Sequence, residues 1–507
     1  MPYSHYDRLT ALDASFLALE DDVSHMHVGS IGIFDAAPLR GAHGGIDHGR
    51  IEAYSEAALA RLPRFRQRLQ WVPLYGRPVW IDDERFNLHY HVRHTALPKP
   101  GDLRQLKRLA GRIMSQQLDR GKPLWEIWYV EGLEGDRFAI ISKVHHCMVD
   151  GLSGVDLMAA LMRVDADASV VPAPAWMPRP APGQAQLLAD EALHRAALPL
   201  AAAQAGRAAL AHPGAALEAG RDALVGVYEA LTAGLTPASP CPLNVAIGPH
   251  RRFDWTRMDL AAVKGIRHAL GGTVNDVVLA IVAGALRRFL RSRGERPQDL
   301  ALRAMVPVSV RRAEQRGTLG NRVSFVLAGL PVGERDARQR LRAVCATTAQ
   351  LKGSQTAHGT ELLEELSDRT FLSLFVEVAR LGARARSYNL VVTNVPGPPF
   401  PVYFLGAPMR EIYPVVPLYA DQALGIALFS YDGGLFWGFN ADWDALPDLH
   451  DIVGHVDAEF QTLCAAAGLV SPAKAPAPSR RRQRRPTRAT RPAAGRSPRT
   501  RTAKTPR

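Results

Sequence analysis

The stretch that most constrains this chain runs from His145 to Gly151 and reads His-His-Cys-Met-Val-Asp-Gly. Ahead of it, Phe138-Ala139-Ile140-Ile141-Ser142-Lys143-Val144 reads as a mostly apolar strand. Behind it, Leu152, Val155, Met158, Leu161 and Met162 recur at helical spacing. Two histidines therefore stand where a buried strand ends, with a carboxylate and a glycine in the turn before a helix. Side chains at such element ends are held by the scaffold yet stay reachable through the loop.

Each residue type brings its own chemistry. An imidazole with an ordinary pKa near ~6.5 can take a proton from an alcohol at neutral pH and return it to a leaving group. That makes His146, with His145 beside it, a candidate general base. Asp150 is spaced to brace the turn or to pair with a buried arginine, and Gly151, lacking a Cβ, lets backbone or substrate come close. Two other roles fit the same residues. A histidine at a strand end often serves as a hydrogen-bonded structural group, and His146 and Asp150, four apart on a helix, can share a metal ion. No third ligand stands at a recognisable distance and the four cysteines are scattered, so no metal is expected at the motif. Cys147 beside the base raises covalent acyl-thioester chemistry as a further alternative.

Reading outward, Met26 to Phe34 alternates like a strand, Ile51 to Leu62 has helical spacing, and Pro78 to Ile81 and Leu88 to His94 read as strands. The histidines of that last segment alternate with other residues, which points to solvent-facing positions and no catalytic role. Leu103 to Leu118 is helical, and Pro123 to Val130 leads into the strand before the motif. Between Val164 and Pro182 five prolines mark an extended connector, and Gln184 to Leu231 turns Ala- and Leu-rich, as one or two crossover helices would. A strand is expected near Leu243 to Phe253, then a helix over Ala261 to Leu270. Thr273 or Asn275 caps an apolar helix from Val277 to Leu290. Met305 to Arg311, the segment opening at Gly320, and Leu390 to Pro398 read as strands. Leu424 to Ser430 and Leu435 to Phe439 form a hairpin across Asp432-Gly433-Gly434, before a last helix from Leu446 to Ala467.

His-His-x-x-x-Asp-Gly resembles the signature of the CoA-dependent acyltransferase superfamily, which includes chloramphenicol acetyltransferase and peptide-synthetase condensation domains. Within it, several segments resemble the bacterial wax ester synthase/diacylglycerol acyltransferase family in the family's order. They are the opening Leu12-Asp13-Ala14-Ser15-Phe16-Leu17, the Pro123-Leu124-Trp125 element, the Asn275-Asp276 pair, Gly320-Asn321-Arg322-Val323-Ser324-Phe325, and Asn394-Val395-Pro396-Gly397-Pro398. The resemblance spans about Leu12 to Leu469.

What it implies is an α/β fold of two chloramphenicol-acetyltransferase-like subdomains, each a mixed sheet flanked by helices, with the active-site channel between them. The corresponding division is residues 1–163, a Pro-rich linker and Ala-rich crossover at 164–242, residues 243–470, and a basic tail at 471–507. The implied activity moves a long-chain acyl group from CoA to diacylglycerol or a fatty alcohol, with acyl-CoA as substrate and no cofactor. By the same resemblance His146 is the base, His145 aligns it, Asp150 fixes the turn and Gly151 keeps the channel open. Cys147 falls at a variable position and reads as packing. Asn275 and Asp276 orient their helix. Asn321 and Ser324 fit a chamber lining or ordinary turn positions, and Thr393 or Asn394 can donate to a developing oxyanion. The rivals are an acyltransferase of this fold with a sugar, polyketide or carrier-bound acceptor, and a non-catalytic lipid-surface or DNA-associated protein.

Composition matters chiefly for what surrounds the folded body. The 507 residues carry a net charge of +13, but residues 474–507 hold 13 Lys and Arg and no acid, so the remaining 49 basic residues balance 49 acidic ones. A tail of Pro, Arg, Thr and Ala cannot bury a core and reads as disordered, able to bind anionic lipid or nucleic acid. Four dispersed cysteines point to a reducing compartment. The first twenty residues lack the apolar core of an export signal, and the longest apolar run, Val277 to Leu286, is too short to cross a bilayer. A cytoplasmic protein, peripheral to the membrane or to lipid droplets, is expected.

Overall fold

The computed structural model describes residues 5–41, 44–148, 160–211, 236–309, 323–353 and 386–469. Asp150, Gly151, Asn321, the rest of the Ala-rich crossover and the basic tail lie outside the described residues.

In chain order the first part holds β1 (Tyr6–Arg8), α1 (Ala11–Leu19), β2 (His27–Asp35), α2 (His48–Leu59), β3 (Gln67–Trp71), β4 (Pro78–Asp82), α3 (Leu88–His91), β5 (Val92–Ala96), α4 (Leu103–Met114), β6 (Trp125–Leu133) and β7 (Arg137–His145). α5 (Gln184–Ala211) follows, then β8 (Arg251–Asp259), α6 (Leu260–Leu270), α7 (Val274–Ser292), β9 (Leu302–Ser309), β10 (Val323–Leu330) and α8 (Ala337–Gly353). The chain closes with β11 (Leu390–Pro396), β12 (Tyr403–Phe404), β13 (Ala407–Val415), β14 (Leu424–Tyr431), β15 (Gly434–Asp442) and α9 (Leu449–Ala466).

Two six-stranded sheets carry the fold, as the two-subdomain α/β class requires. The first has the order β12-β13-β2-β7-β6-β5, with only β5 and β6 parallel. The second has the order β10-β9-β11-β14-β15-β8, with β11 parallel to both its neighbours. Both are mixed. A small sheet, β1-β4-β3, stands apart with its own core of Tyr6, Val72, Val79, Ile81 and Leu187. The first sheet is not built from one run of chain, because residues 403–415 return from the second half and pair along β2.

Local chemistry explains where the elements begin and end. Asp102 and Gln105 form a reciprocal capping box at the start of α4, and Thr273 with Asp276 does the same for α7, so Thr273 rather than Asn275 is the cap. The β14–β15 hairpin closes through Asp432 and Gly433, both with positive φ, the backbone a tight two-residue turn demands. Two expectations differ. Leu88 to His94 begins as the helical turn α3, because the Asn87 side chain accepts from the His89 N–H, and only then extends as β5. No strand forms at Leu243, since Gly248-Pro249 interrupts the ladder and pairing starts at Arg251. No single described helix is long and apolar enough to cross a membrane; α6 and α7 pass that test only as a pair bent by 95°.

The two sheets are locked by close backbone approach. α4 lies against β8 so tightly that a Cβ on Gly111 would sit 2.8 Å from the Arg251 carbonyl oxygen, and the Arg251 N–H donates to Ser115 Oγ at 2.8 Å. The buried Arg251 side chain donates to the carbonyls of Gly248 and Val23, joining the second half to the segment before β2. Trp255 of β8 stacks on Tyr413 of β13 at 4.7 Å. Where β15 crosses β13, a Cβ at Gly438 would collide with the Pro414 carbonyl oxygen. Gly438→Ala is expected to destabilise the protein by about 1–3 kcal/mol through overpacking, read as a lowered Tm, whereas Ala substituted for the open Gly454 of α9 should not.

Candidate active site

β7 delivers both motif histidines. His145 is its last residue and pairs across the sheet with His27 of β2, while His146 opens a one-turn 3-10 helix over His146–Met148. A strand buried over its final eight residues thus ends in a turn that swings the second histidine out of the ladder. The His146 N–H donates to the Met26 carbonyl at 2.7 Å, which fixes where that turn leaves the sheet.

His145 faces inward. The Cys147 N–H donates to its Nδ1 at 3.1 Å, so the ring proton resides on Nε2. That Nε2 lies 3.4 Å from Glu20 Oε2, and both side chains are only 1% exposed. Glu20 follows α1 and also accepts from Arg120 Nε (3.1 Å) and Nη2 (2.7 Å) and from the Met26 N–H (3.3 Å). Burial alone would raise the Glu20 carboxyl, but its contacts with His145 and then Arg120 outweigh that and hold it down to about 2. His27, 3.6 Å from the same carboxylate, is pushed well below its ordinary value by burial and by nearby Lys143. Its Nε2 accepts the Leu118 N–H, so it does not compete as a donor to Glu20.

His146 is in a different setting. Its ring stacks on Phe16 of α1, centroids 3.9 Å apart at 26°. Burial pushes the imidazole down to about 4, with its own backbone carbonyl offsetting part of the effect and His145 adding to it. At neutral pH the ring is therefore uncharged and carries a lone pair able to take a proton. Cys147 is buried in the first sheet's core, where burial, then the charges of Asp13 and Glu20, push its thiol well above the ordinary range. Such a thiol is a poor nucleophile.

The remaining candidates gather elsewhere. Asn394 of β11 donates its amide to Asn275 Oδ1 at 2.7 Å, joining the strand to the first turn of α7. Asp276 spends both carboxylate oxygens on structure: one accepts from Thr273, the other from Thr348 Oγ1 of α8 at 2.7 Å. Thr393 is half-buried on β11, in register with Ala427 of β14. No hydrogen bond or ring contact among the described residues joins this group to the histidine pair. The motif also conceals partners that sequence reading missed. Glu20, Arg120, Phe16 and Met26 are scattered over a hundred positions, and a lone Glu closing the first helix was the only local signal.

The comparisons with known proteins follow this geometry. The wax ester synthase/diacylglycerol acyltransferase catalytic domain matches residues 9–278, and the C-terminal domain of the same family matches residues 319–464. The chain belongs to this family. A Mycobacterium tuberculosis relative named a probable diacyglycerol O-acyltransferase (tgs1) is 32% identical over 474 residues, covering 90% of this chain and 96% of its own. Another from that species, also named for diacyglycerol O-acyltransferase, is 34% identical over 451 residues and 87% of each chain. Among solved structures, the wax ester synthase/diacylglycerol acyltransferase from Marinobacter aquaeolei aligns with a TM-score of 0.63 at 28% identity, over 91% of this chain and 100% of that one. The first condensation domain of the CDA synthetase shares the fold, with a TM-score of 0.56 at 17% identity over 92% and 97% of the two chains. This wax ester synthase/diacylglycerol acyltransferase family member is an acyltransferase.

The depressed Glu20 carboxyl makes a pH prediction for the folded enzyme. Its stabilising effect is fully present above the unfolded value near 4.5 and is lost as the pH falls through about 2. Glu20→Gln, which removes the negative charge facing Arg120 and His145, is expected to cost about 1.5–3 kcal/mol at neutral pH. Denaturant melts of both proteins from pH 7 to pH 3 should show the gap closing with acid.

Proposed function

We propose that this enzyme transfers a long-chain acyl group from CoA to diacylglycerol, to a fatty alcohol, or to both, with His146 as the general base. The observation that carries the reading is the His146 imidazole placed in the turn that ends β7 and stacked on Phe16. In the reaction, His146 takes the acceptor's hydroxyl proton as its oxygen attacks the thioester carbonyl carbon. The carbon–sulfur bond then breaks, and the proton passes to the departing CoA sulfur, giving ester and free CoA. Proximity of the two bound substrates lowers the barrier, so no covalent enzyme intermediate is needed. His145 acts as a positioning residue, through the Cys147 N–H and the Glu20 carboxylate. Thr393 or Asn394 supplies a hydrogen bond to the oxyanion.

The same reading puts the enzyme at a lipid surface on the cytoplasmic side. Its support is the tip of the β3–β4 hairpin, where Leu74 is 94% exposed at φ 64°, flanked by exposed Trp71 and Tyr75. Holding a leucine in the left-handed region in full solvent costs the fold and gains it no packing. Exposed aromatic and aliphatic side chains suit a headgroup region, and the 13 basic residues of the tail would add attraction to an anionic one.

Purified protein with radiolabelled palmitoyl-CoA and either diacylglycerol or hexadecanol tests the chemistry. Triacylglycerol or wax ester is expected, and His146→Ala should lower the rate by about 10²–10⁴-fold. Undiminished product from the variant would remove His146 from the base role, and no product with either acceptor would favour a different acceptor on the same fold. For the surface, Trp71→Ser with Leu74→Ser should reduce co-sedimentation with anionic vesicles while leaving turnover of a soluble short-chain alcohol intact.

A further inference from the structure

We infer that His48, His94 and Glu131 form a binding site for one divalent transition-metal ion such as Zn²⁺, outside the catalytic centre. The three side chains come from separate elements: His48 is the first residue of α2, His94 lies on the edge strand β5, and Glu131 on β6. Both imidazole Nε2 atoms point at one carboxylate oxygen, Glu131 Oε1, at 2.8 Å from His48 and 2.7 Å from His94. The rings are packed with centroids 3.6 Å apart at 45°. The donor atoms of all three lie within 4.8 Å of one another.

Several features separate this cluster from an ordinary surface pairing. Two imidazoles from different elements converge on the same carboxylate oxygen. Glu131 stays in regular register with Ala96 of β5, two residues from His94, just where the β6–β7 ladder slips between Val130 and Leu133. The other oxygen of Glu131 accepts the Ile46 N–H at 3.0 Å, which fixes the carboxylate with Oε1 toward the rings, the backing that metal-bound carboxylates usually have.

The fit is sterically simple. Two ligands of a tetrahedral Zn²⁺ with bonds of roughly 2.0–2.1 Å stand about 3.3 Å apart. The His–Glu contacts need to open by only about half an ångström, within reach of side chains that are 35%, 43% and 20% exposed. The exposure also leaves the fourth position to water. Two imidazole nitrogens and one carboxylate favour a borderline transition ion over Ca²⁺ or Mg²⁺, which prefer all-oxygen sets. Binding moves each ring proton from Nε2 to Nδ1. The ion would clip the start of α2 to the exposed edge of the first sheet.

The test uses the full chain, stripped with chelator and titrated with Zn²⁺ by calorimetry and with Co²⁺ by visible absorption. One equivalent is expected, with a rise in Tm of a few degrees. His94→Gln and Glu131→Gln should each weaken binding at least tenfold and abolish the Co²⁺ bands. His89→Gln, an exposed histidine paired with Glu52 nearby, should change neither. Absence of stoichiometric binding, or binding that survives His94→Gln with unchanged bands, would overturn the site. Melting curves of the metal-free variants exclude misfolding as the cause of any loss.

Discussion

The buried carboxylate of Glu20 is the constraint on which the active-site end of the first sheet depends. It takes charge from Arg120, faces the protonated nitrogen of His145, and accepts the Met26 N–H, while the Met26 carbonyl accepts from His146. One anion therefore fixes the conformation of β2's start, the tautomer of the first histidine and the exit angle of the second. Two adjacent histidines end up with opposite environments. His145 is locked in a polar network; His146 is set against an aromatic ring and kept neutral by burial. That division is the physical content of the doubled histidine in the motif.

The second sheet contributes through the joint rather than through the motif. Glycine at 111 and 438 lets α4 meet β8 and β15 meet β13 at backbone distance, and Arg251 stitches β8 to the segment that carries Met26. β13 leaves the second half to complete the first sheet. Asn275 and Asn394 link α7 to β11 on the second sheet, and Asp276 is fully engaged in holding α7 to α8.

Much of this was legible in the chain. Strong alternation and helical periodicity located most strands and long helices, and the Asp-Gly turn gave the last hairpin. The family's motifs, taken in order, pointed to two mixed sheets. The errors have local causes: an Asn side chain converted the start of a strand to a helical turn at Leu88, and Gly248-Pro249 delayed pairing to Arg251. The return of residues 403–415 to the first sheet is a long-range pairing that no periodicity encodes. Nor does sequence show that Glu20, Arg120 and Phe16 converge on the histidines, because each looks ordinary in its own neighbourhood. The His48, His94 and Glu131 cluster escaped for the same reason. His94 reads as one of several alternating histidines, and Glu131 meets it only through the pairing of β5 with β6.

The central claim is that His146 is held as a neutral base by burial, and it is tested most directly by titrating that imidazole. Nitrogen-15 labelling of the histidines, with His146→Gln to assign the resonance, gives its protonation midpoint by NMR. A midpoint near the value of about 4 set by its environment, well below that of exposed histidines, is the expected result. A midpoint at or above about 6.5, the ordinary imidazole value, would contradict the account, because burial would then not be what keeps the ring uncharged.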